Sequence, residues 1–407
     1  MGLIDNLKNT SKKENLGDEK NRLLNSFLKK GFPTIKDEEW KYTSLKKIVD
    51  DEFSVEEIGS NVLESDIEKY TLGCEHKIIF LGGELISKPN IEGVIISDFS
   101  DFKSRNNDSI SELNYTLAKK GFTINVKDNT ILESPIEILF ISNPKTNNFS
   151  QHRNKIVIGK NVQIKFVERI QNISAAKCFI NHFTQISIGK NSNVEYNKIQ
   201  DNNENSILID NMYIYQLDDT SASVNTLIFG GSFTRNNLSF EQNGNNCDSN
   251  MSGISILDNN QFADNHTFVD HKKPNCRSNE MYKGIYLGNS KGVFNGKIMV
   301  RPNAQKIDAF QSNNNLLLSD KSTIDSKPQL EIYADDVKCS HGCTIGQLDD
   351  NAIFYMRSRG IGEKEAKAVL TYAFASEAIN NIEVEEVKEL AMKLIALKLN
   401  VNLNFNL

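Results

Sequence analysis

The chain has 407 residues, which is enough for a large core and two or three domains. Its formal net charge is −6 and its pI is about 5.7, with acidic and basic residues mixed throughout. This balance argues against nucleic acid as the main partner, because a phosphate backbone calls for a clustered basic face. No stretch approaches eighteen uninterrupted apolar residues, so we expect no membrane partner and no membrane-spanning segment.

The N-terminal residues and the distribution of the cysteines indicate the cellular compartment of the protein. Residues 1–25 are polar and charged and lack the apolar segment of a secretory signal. Six cysteines are spread thinly, unlike the dense pattern of a small disulfide-bonded secreted domain. We therefore expect a cytoplasmic protein with free thiols.

Residues 1–75 are mostly helical in pattern. The segment DEKNRLLNSFLKKGFP carries four apolar residues at helical spacing, and Gly31 and Pro33 then provide a stop signal. The only tryptophan, Trp40, follows in DEEWKYTSLKKI, and we interpret it as the core anchor of a small subdomain rather than a ligand contact.

From residue 76 to 346 the sequence changes to short β-branched runs separated by Asn, Gly, Asp and Ser. These runs predict strands, and no helical period of any length is visible between them. IVIGKNVQIKF at 156–166 returns as ISIGKNSNVEY at 186–196, with Gly-Lys-Asn at the same turn, and GIYLGNSKGVF at 284–294 is a weaker version. A repeat of about 25–30 residues with alternating apolar positions predicts a parallel β-helix, or β-solenoid, in which each rung covers the next. A β-sandwich is the competing prediction.

Residues 347–407 are again helical in pattern. LDDNAIFYMRSRG begins with an acidic turn, which suits a helix N-terminus, and stops at Gly360. In VEEVKELAMKLIALKL we expect one apolar stripe, formed by Val384, Val387, Leu390, Leu394 and Leu397. A helical region of this kind caps a solenoid or offers a docking surface.

Most motifs of enzyme chemistry are absent from the sequence. GNSKGVFNGKI is not a P-loop, because no glycine stands five positions before Gly296 and Ile298 occupies the Ser/Thr position. His266 and His271 are five residues apart, which places them on opposite faces of a strand, so we interpret both as structural histidines.

Cys339, His341 and Cys343 occupy alternate positions in DDVKCSHGCTIGQLDD (335–350). Residues two apart on a strand share a face, roughly 6.6 Å apart along the chain. Thiolate and imidazole are ligands that iron, zinc and iron–sulfur clusters accept. A single strand places its ligands in a line and cannot surround a metal ion. A metal site on this strand would therefore be incomplete, and it would be completed by another chain or left open. The alternative is that the small cysteine side chains fill the interior of a rung.

The segment from 304 to 361, which contains AFQSNNNLLLSD and IYADDVKCSHG, resembles the signature of the SufB/SufD family of iron–sulfur cluster assembly proteins. KGVFNGKIMV (291–300) and GFPTIKDEEWKYTSL (31–45) also resemble this family. The N-terminal motif and IYADDVKCSHG are closer to the SufD branch than to SufB.

The resemblance implies a mainly β protein with a right-handed parallel β-helix core over 76–346 and helical regions at 1–75 and 347–407. It implies a non-catalytic scaffold subunit that pairs with a SufB-like paralogue through the β-helix. The C-terminal helices would bind a SufC-like ABC ATPase, and the missing P-loop fits a partner that carries the nucleotide chemistry. An isolated chain could form a homodimer.

By the same resemblance, Cys339 and His341 contribute to an iron or nascent-cluster site shared with the paralogue, and His341 is the stronger candidate. Cys343 stands where relatives often carry alanine and is the third candidate. A flavin is associated with the assembled complex in this family, and no residue of this sequence can be assigned to it.

Two other hypotheses compete with the scaffold hypothesis. The first is a solenoid carbohydrate-active enzyme of the polysaccharide-lyase type, which the absent signal segment argues against. The second is a purely architectural β-helix protein whose Cys and His side chains only fill the core.

Overall fold

The computed structural model describes residues 2–13, 16–55, 62–103 and 108–399. In these ranges helices stand at both ends of a long run of strands. The helices are α1 Leu3–Lys13, α2 Asp18–Lys30, α3 Lys46–Val49, α4 Glu64–Tyr70, α5 Ser109–Leu117, α6 Asp350–Ser358, α7 Glu363–Ile379 and α8 Glu385–Leu399, with a 3₁₀ turn at Glu38–Trp40.

The strands begin at His76 and end at Gly346. They are β1 His76–Leu81, β2 Glu84–Ser87, β3 Val94–Asp98, β4 Phe122–Val126, β5 Ile136–Ser142, β6 Asn148–Ile158, β7 Gln163–Asn172, β8 Cys178–Ile188, β9 Asn193–Gln200, β10 Ser206–Gln216, β11 Ser221–Ile228, β12 Phe233–Gln242, β13 Asp248–Leu257, β14 Phe262–His271, β15 Arg277–Tyr286, β16 Lys291–Val300, β17 Ile307–Leu317, β18 Thr323–Ile332 and β19 Val337–Gly346.

From β4 onward, consecutive strands alternate between two sheets that form a parallel β-solenoid, whereas β1–β2 and β3–β4 are antiparallel pairs at its start. From β4 onward, each strand pairs in parallel with the strand two places later in the chain. The ten-stranded sheet runs β19-β17-β15-β13-β11-β9-β7-β5-β1-β2, and the nine-stranded sheet runs β18-β16-β14-β12-β10-β8-β6-β4-β3. The apolar core fills the lumen between them. The predicted mainly β solenoid with terminal helices is confirmed.

The repeated Gly-Lys-Asn segment marks one corner of the coil. Ile156 faces Ile186 and Phe166 faces Tyr196, so the two copies stack in register. Asn161 and Asn191 adopt φ values of 57° and 55°, in the left-handed region that Asn tolerates better than most residues. Nδ2 of Asn191 donates to Oδ1 of Asn161 over 2.9 Å, which links the stacked turns.

The weaker version at 284–294 belongs to the opposite corner. It leads from the ten-stranded sheet to the nine-stranded sheet, whereas 156–166 leads in the other direction. The similarity therefore reflects a shared strand–turn–strand chemistry rather than the same unit of the coil.

The expectation that no helix interrupts residues 76–346 is wrong at α5. Oδ1 of Asp108 accepts a hydrogen bond from the backbone N–H of Ser111 over 2.9 Å and so caps the helix. Its apolar residues Ile110, Leu113 and Leu117 join the core beneath the N-terminal helices. Nine residues are too few for a helical period to stand out from the surrounding strand pattern.

The N-terminal region packs on the outer face of the nine-stranded sheet, where Leu24 and Phe27 share a core with Phe179. Trp40 is an anchor, as predicted, but it anchors this region to the coil rather than forming the centre of a separate core. Its ring lies 3.8 Å from the guanidinium carbon of Arg235 on β12.

α7 and α8 pack on the outer face of the ten-stranded sheet. The predicted apolar stripe of α8 is wrong at Leu397, which is 64% exposed. The buried row runs instead through Val387, Ala391 and Ile395, at four-residue spacing. Within the described chain, no helix combines the length and apolar character needed to cross a bilayer.

Candidate functional site

Cys339, His341 and Cys343 lie on β19, the last strand of the ten-stranded sheet. Their register partners on β17 are Ala309, Gln311 and Asn313, all buried, so the three side chains belong to the row that faces the lumen. No later strand covers β19 in the described chain. The coil therefore presents one thiol, one imidazole and a second thiol at its open end.

The three side chains differ in their surroundings. Cys339 is half-buried at the edge of an apolar cluster, and burial raises the pKa of its thiol, with a further contribution from the carboxylate of Asp308. Cys343 is exposed, and its Sγ lies 3.1 Å from Oγ of Ser326 on β18. His341 is exposed, and no hydrogen bond or ion pair engages its ring within the described ranges. Filling of the solenoid core therefore explains the partial burial of Cys339. It does not explain His341 and Cys343, which are exposed.

The strand geometry limits what these ligands can hold. Two residues at alternate positions are about 6.6 Å apart and the two cysteines about twice that, so one ion cannot bind both thiols. Over the residues the structure describes, no three His, Cys, Asp or Glu side chains converge on a metal site. The chain brings His341 next to each cysteine in turn but does not bring all three together.

The open end also carries exposed apolar side chains. Four large ones lie on the last rungs or in the turn between β18 and β19, with exposed fractions of 39–61%: Phe310, Ile332, Tyr333 and Ile345. The outer edges of β18 and β19 have no strand partner in the described chain. Long strand edges beside apolar side chains are suited to pairing with another chain.

Sequence reasoning missed two polar residues in the lumen directly below His341. Gln311 lies in register with His341, and Glu280 on β15 lies in register with Gln311. The sequence contained a signal for this stacking. AFQSN at 309–313 has the same alternation as CSHGC at 339–343, and it precedes CSHGC by 30 residues. The coil repeat therefore stacks the two motifs.

The histidines at 266 and 271 are structural, as predicted. Nε2 of His266 lies 3.0 Å from Oδ1 of Asp264, on the outer face of β14. His271 is buried in the lumen, where Nε2 lies 3.0 Å from Oγ of Ser278 and burial lowers the pKa of the ring to about 4.

Comparison with known proteins identifies relatives over most of the chain. Residues 140–374 match the family model described as SUF system FeS cluster assembly, SufBD core domain. The iron–sulfur cluster assembly protein SufD of Escherichia coli (strain K12) is 29% identical over 389 residues, covering 92% of this chain and 91% of the relative. The SufBD family protein slr0076 of Synechocystis is 28% identical, covering 88% and 85%. These matches favour cluster assembly over carbohydrate chemistry.

Proposed function

Because the chain belongs to the SufBD family of iron–sulfur cluster assembly proteins, we propose that it is a non-catalytic scaffold subunit of a Suf-type complex. The observation that carries the proposal is the line of Cys339, His341 and Cys343 at the open end of the coil. Iron or a nascent cluster is the cargo of this site. We place this work in the cytoplasm, where the six thiols, all free here, remain reduced.

In this proposal His341 and Cys339 bind the cargo from one side, and a second chain supplies the remaining ligands. A linear set of ligands that is open to solvent suits a shared site better than a closed cage. Cys343 is the third candidate. Its thiol is exposed, but its Sγ already lies against Ser326. No residue of the described chain is assigned to a flavin.

The proposed completing chain is a SufB-like paralogue that pairs with the β18–β19 end. Tyr333 is 61% exposed there and Ile345 is 51% exposed. An isolated chain could cover the same surface with a second copy of itself. Pairing at this end would place ligands of both chains around one site.

The proposed second partner is a SufC-like ABC ATPase that binds the C-terminal helices. α6 follows β19 by only three residues and exposes Phe354 and Tyr355 to 73% and 59%. Exposed aromatic side chains are typical of interface anchors. The short connection would link movements of the ATPase to the open end of the coil.

Co-expression tests this proposal. The chain, a SufB-like paralogue and a SufC-like ATPase are produced together, and the chain alone carries the affinity tag. We expect both untagged partners to co-purify through gel filtration. Failure of the paralogue to associate with a folded chain would contradict the proposal.

A further inference from the structure

The lumen beneath the open end contains a polar column that the scaffold role does not explain. Glu280, Gln311 and His341 occupy successive rungs of the ten-stranded sheet and are register partners. Neighbouring strands lie about 4.8 Å apart, so the three side chains stack on one face. Glu280 and Gln311 are 1% and 3% exposed, whereas His341 is open to solvent.

Hydrogen bonds fix the amide of Gln311 from below. Its Nε2 donates to Oε2 of Glu280 over 3.0 Å, and the same oxygen accepts from Oγ1 of Thr267 over 2.6 Å. Because the two heteroatoms of an amide diverge from one carbon, an Nε2 that is held toward β15 leaves Oε1 facing away from that strand. β19, with His341, lies on this other side.

Oε1 of Gln311 is a buried acceptor without a partner in the described part of the chain. A buried carbonyl oxygen that lacks a hydrogen bond destabilises the folded state, so a donor is expected. The neighbour in register on that side is an imidazole, which carries one N–H in its neutral form.

The opposite sheet leaves room for Gln311. On β16, a Cβ at Gly296 would lie 2.1 Å from Nε2 of Gln311, and even a methyl group there would displace the amide. The glycine on one sheet and the carboxylate on the other hold the amide in one place.

We propose that Gln311 is a positioning residue for His341: the exposed imidazole, which makes no hydrogen bond within the described part of the chain, turns toward the lumen and donates its N–H to the amide oxygen of Gln311, so the other ring nitrogen presents its lone pair to iron at the open end. Histidine ligands usually donate their second nitrogen to such an acceptor, which fixes the tautomer and the ring orientation. Glu280, Thr267 and Gly296 act through Gln311. This inference rests on the proposed role of His341 as a ligand.

The first test measures the tautomer of His341 by side-chain ¹H–¹⁵N spectra of the full chain, at a pH where ordinary histidines are neutral. His341→Ala identifies the signals among the six histidines. We expect one tautomer in the wild type, a mixture of tautomers in Gln311→Met, and the wild-type tautomer in Glu280→Gln, which keeps an acceptor for Gln311.

Asn315→Leu is the matched control. Asn315 lies on the same strand and face as Gln311, is 2% exposed and also has a buried carbonyl oxygen without a partner in the described ranges, but its register partner is Ile345. We expect Asn315→Leu to leave the tautomer of His341 unchanged. A wild-type mixture of tautomers, or one tautomer that persists in Gln311→Met, would overturn the inference.

The second test measures binding of ferrous iron to the complex with the paralogue, without oxygen. We expect Gln311→Met to weaken binding 10–100-fold and Asn315→Leu to leave it unchanged. If Gln311→Met alters the tautomer but His341→Ala does not change iron binding, the hydrogen bond is supported and the ligand role of His341 is overturned.

Discussion

Glu280 shows how the lumen sets the chemistry of one side chain. The carboxyl group is fully buried, and burial raises its pKa to about 7, against hydrogen bonds from Thr267 and Gln311 that lower it. The folded state therefore binds a proton more tightly than the unfolded state, in which the pKa is near 4.5. This contribution to the free energy of unfolding is complete below pH 4.5 and is lost as the pH rises through 7.

Glu280→Gln removes this titration and keeps the shape of the side chain. We expect the variant and the wild type to have similar free energies of unfolding at pH 4.5. At pH 8 the variant should gain up to about 3 kcal/mol relative to the wild type, because one unit of pKa difference corresponds to about 1.4 kcal/mol. Denaturant unfolding at both pH values measures the difference. If the variant and the wild type differ in free energy of unfolding by the same amount at both pH values, the pKa of Glu280 is not raised in the folded state.

At the scale of the elements, the turns and strand alternation could be read from the sequence. Asn161 and Asn191 recur because seven successive turns at this corner, from Asn129 to Lys306, place a residue in the left-handed region. The strand pattern then places Cys339 and His341 on one face. The change to a helical pattern at residue 347 indicates that this strand is the last, but alternation alone does not show that no other element covers His341. α5 was missed because tertiary contacts, rather than a long helical period, support it.

The end strands explain why pairing should occur at β18 and β19. These strands have ten residues each, whereas β2 and β3, at the other end of the coil, have four and five. Short edge strands discourage pairing, and long ones offer a template for it.

Ile345→Asp tests the open end as the pairing surface. We expect it to weaken binding of the SufB-like paralogue at least tenfold, because a carboxylate would replace a desolvated apolar contact. Ile95→Asp is the matched control, since Ile95 on β3 is also 51% exposed but lies at the opposite end. Titration calorimetry measures both affinities. Equal effects of the two substitutions would contradict pairing at β18–β19.

Phe354→Asp tests α6 as the site of the ATPase. We expect the substitution to weaken ATPase binding about tenfold and to spare pairing with the paralogue. Leu397→Asp on α8 serves as the control, because Leu397 is 64% exposed in the same helical region. If Leu397→Asp weakens ATPase binding and Phe354→Asp does not, the docking surface lies on α8.

For the whole molecule, the arrangement of layers directs partners to the open end. The N-terminal helices cover the nine-stranded sheet, and α7 and α8 cover the ten-stranded sheet. In the lumen-facing row of the last rung, His341 and Cys343 are exposed and Cys339 is half-buried. A scaffold that shares its cargo with a neighbour needs this combination of a covered body and an open end.

Iron content after anaerobic reconstitution tests this account most directly. The wild type and His341→Ala are each reconstituted with ferrous iron and sulfide, alone and in complex with the SufB-like paralogue. We predict that the wild-type complex retains iron through gel filtration, that the chain alone retains far less, and that the His341→Ala complex assembles but loses most of its iron. Equal iron content in the wild-type and His341→Ala complexes would contradict the account.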